Sequence, residues 1–346
     1  MARKLLWGLL LLAPLAVAVD ELTDAGHVTL FVLSALSLVP LAWLIGEATE
    51  HAAEHTGPGI GGFLNASFGN APELIVALFA LGANLPQVVR GSLSGSVISN
   101  LLLVSGVALL AGPDGAEIDR RSLLTQIGLV GLAVLAFVAP ATVGYEGAPE
   151  RHAVVVASLP VAVVLLLVYA AVVGRNLRRH SRSEREGPRE GAWSLAWALT
   201  ALAAATAATA WVSEILVHSL HAFAAAVGLS EFFIAVVIVA IVGNAAEHGG
   251  AILIARGGNM RLALEIAISS SAQVALLVVP VVLLLSFGFA HPFALAFRWS
   301  ELVAMGGASL LVAAAVRDGR TRRSEGALLV AGYAAAVAGF YFATGH

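Results

Sequence analysis

The stretch LNASFGNAPELIVALFAL at residues 64–81 sets Asn65, Ser67, Asn70 and Glu73 inside an otherwise apolar run. A carboxylate at the centre of a membrane-spanning helix costs about 3 kcal/mol even on the more lenient insertion scales, so something must compensate it. The surrounding chain says that a membrane is the right setting. Of 346 residues, 59% are hydrophobic and 12% charged, about half the charged content of an ordinary soluble domain. Apolar segments near the roughly 20 residues needed to cross a bilayer core recur along almost the whole length, leaving no room for a large soluble domain. The expected fold is all-α, a polytopic membrane protein. A net charge of −3 gives no basic surface for nucleic acid. The chain has no cysteine, which excludes disulfides, thiol chemistry and cysteine metal ligands.

Eleven transmembrane helices are expected, centred on residues 5–19, 28–46, 60–84, 91–111, 123–143, 153–173, 193–225, 229–256, 261–287, 293–316 and 326–343. Threaded alternately, they put sixteen cations on one side: Arg3, Lys4, Arg120, Arg121, six arginines from Arg175 to Arg189, Arg256, Arg261, Arg317, Arg320, Arg322 and Arg323. Only Arg90, Arg151 and Arg298 fall on the other side. The excess of positive charge on cytoplasmic loops then sets the N-terminus in the cytoplasm and the C-terminus outside. Residues 1–26 form the first unit, a helix whose basic start and AVA stretch also resemble a cleaved secretory signal. Removing it leaves the orientation of the other ten unchanged. The hydrophilic run at 175–191 reads as an Arg-rich cytoplasmic linker between a first half at 27–174 and a second at 192–346.

The halves repeat. A shift of 174 residues places GNAPE (69–73) over GNAAE (243–247), and the same shift places GSVIS (95–99) over SSSAQ (269–273) without a gap. By the span count, 60–84 runs outward and 229–256 inward, so the copies are two inverted-topology five-helix repeats. Such repeats with polar, Gly-interrupted helices in corresponding positions point to a secondary transporter's binding site.

Within each copy Asn and Glu are three residues apart, Asn70 with Glu73 and Asn244 with Glu247, and so share a helical face. Gly69 and Gly243 precede them, where the backbone can unwind, and Pro72 suits the first turn of a restarted helix. The Gly69 and Gly243 carbonyls would lose their helical partners and become oxygen ligands for a hard cation. Ser92, Ser96, Ser99 and Asn100 in one half, with Ser269, Ser270 and Gln273 in the other, add oxygen, although small serines equally serve close helix packing. No Lys or Arg lies within either repeat's core to neutralise the glutamates. Two carboxylates brought together away from water repel each other and favour bound protons. A divalent ion can replace those protons, and all-oxygen ligation favours calcium over softer metals. Competition of protons and one cation for one site is antiport in its simplest form.

At IGGFLNASFGNAPELIVALFAL, SGSVISNLLLVSG, GNAAEHGGAI and SSSAQVALLVVP the sequence resembles the cation/proton exchanger (CAX) family of the calcium/cation antiporter superfamily. The resemblance spans both repeats. It implies ten core helices plus one, exchange of Ca2+ for H+ by alternating access, no enzymatic activity, no cofactor, and transport glutamates at Glu73 and Glu247. GNAAEH extends the match to His248. Sodium/calcium exchangers share the architecture but carry a further acid where this chain has Ser99, Asn100 and Gln273, which leaves a Na+/Ca2+ exchanger as the alternative. Eukaryotic relatives carry an acidic helix between the halves; here six arginines stand against Glu184, Glu186 and Glu190, which argues against that form of regulation.

Three further signals compete. HAAEH at 51–55 satisfies an inverted zinc metalloprotease pattern, with His51 and His55 on one helical face. It lacks a third ligand and a soluble domain to receive peptides. With Glu47, Glu50 and Glu54, the same residues could instead gather cations or protons at the cytoplasmic mouth. His248 points about 100° away from Glu247 and reads either as a proton-tuning neighbour or as a structural hydrogen bond. Glu214 is a third acid in an apolar span, with His218 as a local partner. The full expectation is a calcium/proton antiporter with Glu73, Glu247, Gly69, Gly243, Asn70, Asn244, Asn100, Gln273, Ser96 and Ser270 around the ion, and His248, Glu214 and Glu47 on the proton side. High Ala, Gly and Arg content suggests a bacterial inner membrane. A homo-oligomer is compatible with the sequence.

Overall fold

A computed structural model describes residues 2–145, 151–180 and 192–344. The helices are α1 (Ala2–Leu9), α2 (Leu12–Leu22), α3 (His27–Phe68), α4 (Ala71–Gly82), α5 (Pro86–Ile98), α6 (Ser105–Ala111), α7 (Arg120–Tyr145) and α8 (His152–His180). After the linker follow α9 (Leu195–Val227), α10 (Glu231–Ile234), α11 (Ala240–Gly243), α12 (Ala245–Arg256), α13 (Met260–Gln273), α14 (Val279–Ser286), α15 (Trp299–Ala315) and α16 (Arg323–Thr344). Among the described residues there is no strand, only an isolated bridge between Glu117 and Arg320. Wide π-type turns at Ser99–Val104, Ala235–Val239 and Val274–Val278 join neighbouring helices without stopping the chain's course.

Among the described residues eight helical stretches are long and apolar enough to cross a membrane, and a ninth forms if Glu231–Gly243 and Ala245–Arg256, bent by 58° at their junction, count as one. Ala71–Gly82 and Trp299–Ala315 are apolar but shorter. Burial sorts the helices into shells. The most apolar window of Pro86–Ala111 is 83% buried and that of Met260–Ser286 67%, whereas Arg323–Thr344 reaches 17% and Lys4–Leu22 11%. The two helices bearing the serine clusters therefore run through the middle, and the ends of the chain face outward.

Antiparallel α3 and α9 flank this centre. Phe31 stacks on Phe223 at one end, with ring centroids 4.1 Å apart, and His51 stacks on Trp193 at the other, 4.7 Å apart. Between them Ile45 and Ala48 pack on Ala201, Leu202 and Ala205; small side chains let the two axes approach. α5 crosses the Ala235–Val239 turn closely at Gly95, where an added Cβ would stand 2.2 Å from Val236 O. Only glycine fits there.

Three boundaries differ from expectation, each for a physical reason. Segments 28–46 and 60–84 are not separated by a loop: helix persists from His27 to Phe68. EATEHAAEHT is polar enough to leave hydrocarbon, but Ala and Glu are strong helix formers, so polarity there does not end the helix. The segment 293–316 is helical only from Trp299. Residues 293–297 are buried without being helical, and side chains meet their backbone: Phe293 N donates to Ser286 Oγ at 2.8 Å and Leu295 N to Ser158 Oγ at 3.0 Å. Finally, α8 continues past Gly174 to His180; the remainder of the expected linker, 181–191, lies outside the described residues.

Candidate functional site

The two GNA motifs form matching breaks. Asn70 (φ −99°, ψ 17°) and Asn244 (φ −96°, ψ 9°) both precede a new helix, α4 and α12 respectively. The helical ladder resumes with Leu74 N donating to Asn70 O at 3.2 Å and His248 N to Asn244 O at 2.9 Å. These bonds start one residue after Gly69 and Gly243, as expected if the glycine carbonyls stand outside the ladder. Each Glu thus sits in the first turn of a helix that begins inside the protein.

The breaks face each other. Glu73 Cγ lies 3.7 Å from where a Cβ on Gly243 would be, so a methyl there would rest directly on the carboxylate's stem. Glu73 and Glu247 are near enough to repel electrostatically. Glu73 is buried, yet among the described residues no other residue donates a hydrogen bond to either of its oxygens, and the same holds for Oε2 of Glu247. Buried polar atoms are almost always satisfied, so three orphaned carboxylate oxygens in one place mark a site built for something else.

Amides and hydroxyls surround them. Asn70 Nδ2 donates to Gln273 Oε1 at 2.8 Å, joining the first break to α13. Asn244 Nδ2 donates to Ser96 Oγ at 2.8 Å and to Ala240 O at 2.9 Å. Asn100 Nδ2 donates to Asn244 Oδ1 at 3.2 Å and to Ser270 Oγ at 3.0 Å; Ser270 in turn bonds Glu247. His248 Nε2 lies 2.8 Å from Asn100 Oδ1. A carbonyl oxygen only accepts, so this ring nitrogen carries the hydrogen. The π-turn after Asn100 leaves its carbonyl to Ser105 Oγ at 3.0 Å. Where the serine helices cross, Ser271 Oγ donates to Val97 O at 3.3 Å, two positions separated by the repeat shift of 174.

The structure therefore gathers Glu73, Glu247, Gly243, Asn70, Asn244, Asn100, Gln273, Ser96, Ser270 and His248 at one centre, with Gly69 at the first break. Glu214 and Glu47 lie elsewhere. Glu214 is exposed and lines a cavity of about 180 Å³ with Asp20, Glu21, His27 and His218. Glu47 Oε1 is 3.7 Å from His51 Nε2. The HAAEH imidazoles are taken up by Trp193, whose N donates to His51 Nδ1 at 3.5 Å and whose O is 2.7 Å from His55 Nε2. Among the described residues no three His, Asp or Glu side chains are arranged to hold a metal ion.

Sequence reasoning did not foresee how His248 and Asn100 lock together, nor a second buried polar cluster at Arg90, Ser94, Arg298 and Glu301. Two of the three arginines on the sparsely charged side, Arg90 and Arg298, were the available signal for that cluster.

Bent helices meeting end to end around an oxygen-lined centre define an integral membrane protein of the carrier type. The chain belongs to the sodium/calcium exchanger protein family, whose model matches residues 26–177 and 197–342 on either side of the linker. It is similar to the Ca(2+)/H(+) antiporter ChaA of Bacillus subtilis (strain 168), at 39% identity over 95% of this chain and 96% of the relative. The structure of native YfkE matches at 36% identity with a TM-score of 0.85, covering 97% of this chain and 99% of that one. The crystal structure of the H+/Ca2+ exchanger CAX shares the fold, with a TM-score of 0.73 at 18% identity over 98% of this chain and 92% of that one.

Proposed function

We propose that the chain is a secondary transporter that exchanges Ca2+ for H+ by alternating access, with Glu73 and Glu247 binding the two ions in turn. One observation carries this reading: two carboxylates within electrostatic reach of each other in the protein's centre, three of their oxygens without a donor. Empty and ionised, such a pair is poorly tolerated in a low-dielectric interior. Two protons or one Ca2+ bring it to the same charge, so either load lets the carrier change conformation while the empty state resists. The ring of Asn70, Asn100, Asn244, Gln273, Ser96 and Ser270 with the Gly69 and Gly243 carbonyls supplies the oxygens that a calcium ion needs beyond the carboxylates.

The matching backbone angles at Asn70 and Asn244, and the two matched segments flanking the linker, support an inverted pair of five-helix halves following one N-terminal helix, eleven spans in all. Counting Ala71–Gly82 and Trp299–Ala315 as the membrane-embedded parts of two spans is what brings the number to eleven. Orientation follows from the arginines: N-terminus in the cytoplasm and C-terminus outside, in a bacterial inner membrane. Rocking or sliding of the flanking helices α3 and α9 against the centre would open the site to each face in turn. No cofactor is required. Sodium as the counter-ion is the second reading, and the similar Ca(2+)/H(+) antiporter of Bacillus subtilis favours protons.

The test is calcium uptake into liposomes driven by a pH gradient, with and without sodium. Wild-type uptake that follows the pH gradient and ignores sodium is expected, and Glu73→Gln or Glu247→Gln should abolish it. Uptake that survives both substitutions would overturn the assignment.

A further inference from the structure

A second polar cluster lies on the back of α5. Glu301 is fully buried, and both of its oxygens are used: Oε1 accepts from Ser94 Oγ at 2.7 Å and Oε2 from Arg298 N at 2.7 Å. Arg90 and Arg298 attract it electrostatically. Arg90, itself buried, lies over the Phe293 ring at 5.7 Å, and Arg298 lies over Phe232 at 4.2 Å. Phe232 in turn packs against Gly91. A buried carboxylate with two cations is costly to assemble and destabilising to break, so it is retained where it fixes a geometry.

The geometry it fixes is that of α5. Arg90 and Ser94 are four residues apart and share one face, while Ser96, two residues on, points about 200° away. Ser94 Oγ has one hydrogen to donate and stands 2.8 Å from the Arg90 carbonyl and 2.7 Å from Glu301 Oε1 of α15, so its bond to Glu301 replaces the one within its own helix. Ser96 on the opposite face accepts from Asn244, and Asn100, four residues beyond Ser96, bonds Asn244 and Ser270. We infer that Glu301 is a positioning residue for the ion site: acting through Ser94, it sets the rotation of α5 about its axis and so the placement of Ser96 and Asn100. Polar atoms lie about 5 Å from a helix axis, so a turn of about 15° moves one by about 1 Å. That is enough to spoil a hydrogen bond of ordinary length. The other half has no such clamp: positions 264 and 127, the repeat mates of Arg90 and Glu301, are Leu264 and Ile127.

This inference rests on the calcium/proton reading, and one assay separates the two. In reconstituted liposomes, Ser94→Ala keeps Arg90, Arg298 and Glu301 and removes only the linking hydroxyl. It should raise the KM for calcium about fivefold with maximal rate within twofold of wild type, and Ser94→Thr, which restores a hydroxyl, should return KM toward the wild-type value. Calcium-45 binding to the detergent-solubilised protein should weaken by the same factor. Ser309→Ala serves as the control, since Ser309 is a buried serine of α15 bonded only within its own helix, to Met305 O at 2.9 Å; it should leave KM unchanged. Glu301→Gln should shift KM further if it folds, and Ser94→Ala decides if it does not. Wild-type activity with an unshifted KM in Ser94→Ala overturns the positioning role alone. Absence of pH-driven uptake in wild type overturns the parent reading, and this one with it.

Discussion

The two halves of the site begin from nearly the same words, GNAPE and GNAAE, and end in different states. Glu73 has both oxygens bare, while Glu247 is held by Ser270, which is held by Asn100, which is held by His248. Position 274, the mate of Asn100, is Val274, and the mate of His248 is Leu74. The second half thus owns a braced carboxylate and the first a free one. A repeat that is symmetric in its backbone breaks has been made asymmetric by two side chains, one from each half. On the proposed function this would divide the labour: a preorganised acid would fix where the ion sits, and an unbraced one would follow the ion or a proton as the helices shift.

The sharpest way to break this contrast is to neutralise each acid in turn. Glu73→Gln and Glu247→Gln should each lower calcium uptake by about a hundredfold or more, because a buried ion loses a charged ligand. Their stabilities should differ. Glu73→Gln removes a buried carboxylate that no other described residue supports with a hydrogen bond, so the calcium-free melting temperature should rise by about 2–4 °C, the shift that about 1 kcal/mol gives in a larger domain. Glu247→Gln trades a hydrogen-bonded carboxylate for an amide and should not rise. Equal shifts in a thermal melt of the two purified variants would mean that the bracing is energetically idle.

A smaller effect is expected from making the halves alike. Asn100→Val copies its repeat mate and removes bonds to Asn244, Ser270 and His248 together. A net loss of about 1.4 kcal/mol, modest for several buried hydrogen bonds, corresponds to a tenfold rise in KM for calcium. His248→Gln keeps a donor near Asn100 and should lose much less than His248→Ala. If the two His248 variants prove equally damaged in the same uptake assay, the imidazole serves the proton path itself and not the bracing of Asn100.

Much of this centre was legible in the sequence because its chemistry is out of place in lipid. Glu73, Glu247 and their asparagines stand out against apolar neighbours, and the 174-residue shift pairs them without any knowledge of the fold. What the chain does not spell out is connectivity across helices. The sequence reads His248 as a neighbour of Glu247, but nothing local links it to Asn100, 148 positions away. Glu214, by composition alone as good a candidate as Glu73, belongs instead to a separate cavity, because no Gly-Asn break turns its helix inward. The polarity of EATEHAAEHT marks where the chain leaves hydrocarbon and not where the helix ends, because the two are governed by different physics. Glu301 hid among the apolar residues of WSELVAM and shows itself only through Arg90 and Arg298.

The weakest predicted perturbation tests the unbraced side. Asn70 Nδ2 donates to Gln273 Oε1, so Asn70 joins the break before Glu73 to α13 of the other half. Asn70→Ala removes this cross-link and one oxygen ligand, leaving Glu73 in place. Because a single hydrogen bond contributes about 1 kcal/mol net, KM for calcium should rise about fivefold, less than for Asn100→Val. Gln273→Ala should give a similar rise, and the double variant should lose little more than either alone, since the two share one interaction. Strict additivity in the double variant would mean that each residue contacts the ion separately, and that the free half of the site is built from independent ligands and not from a linked pair.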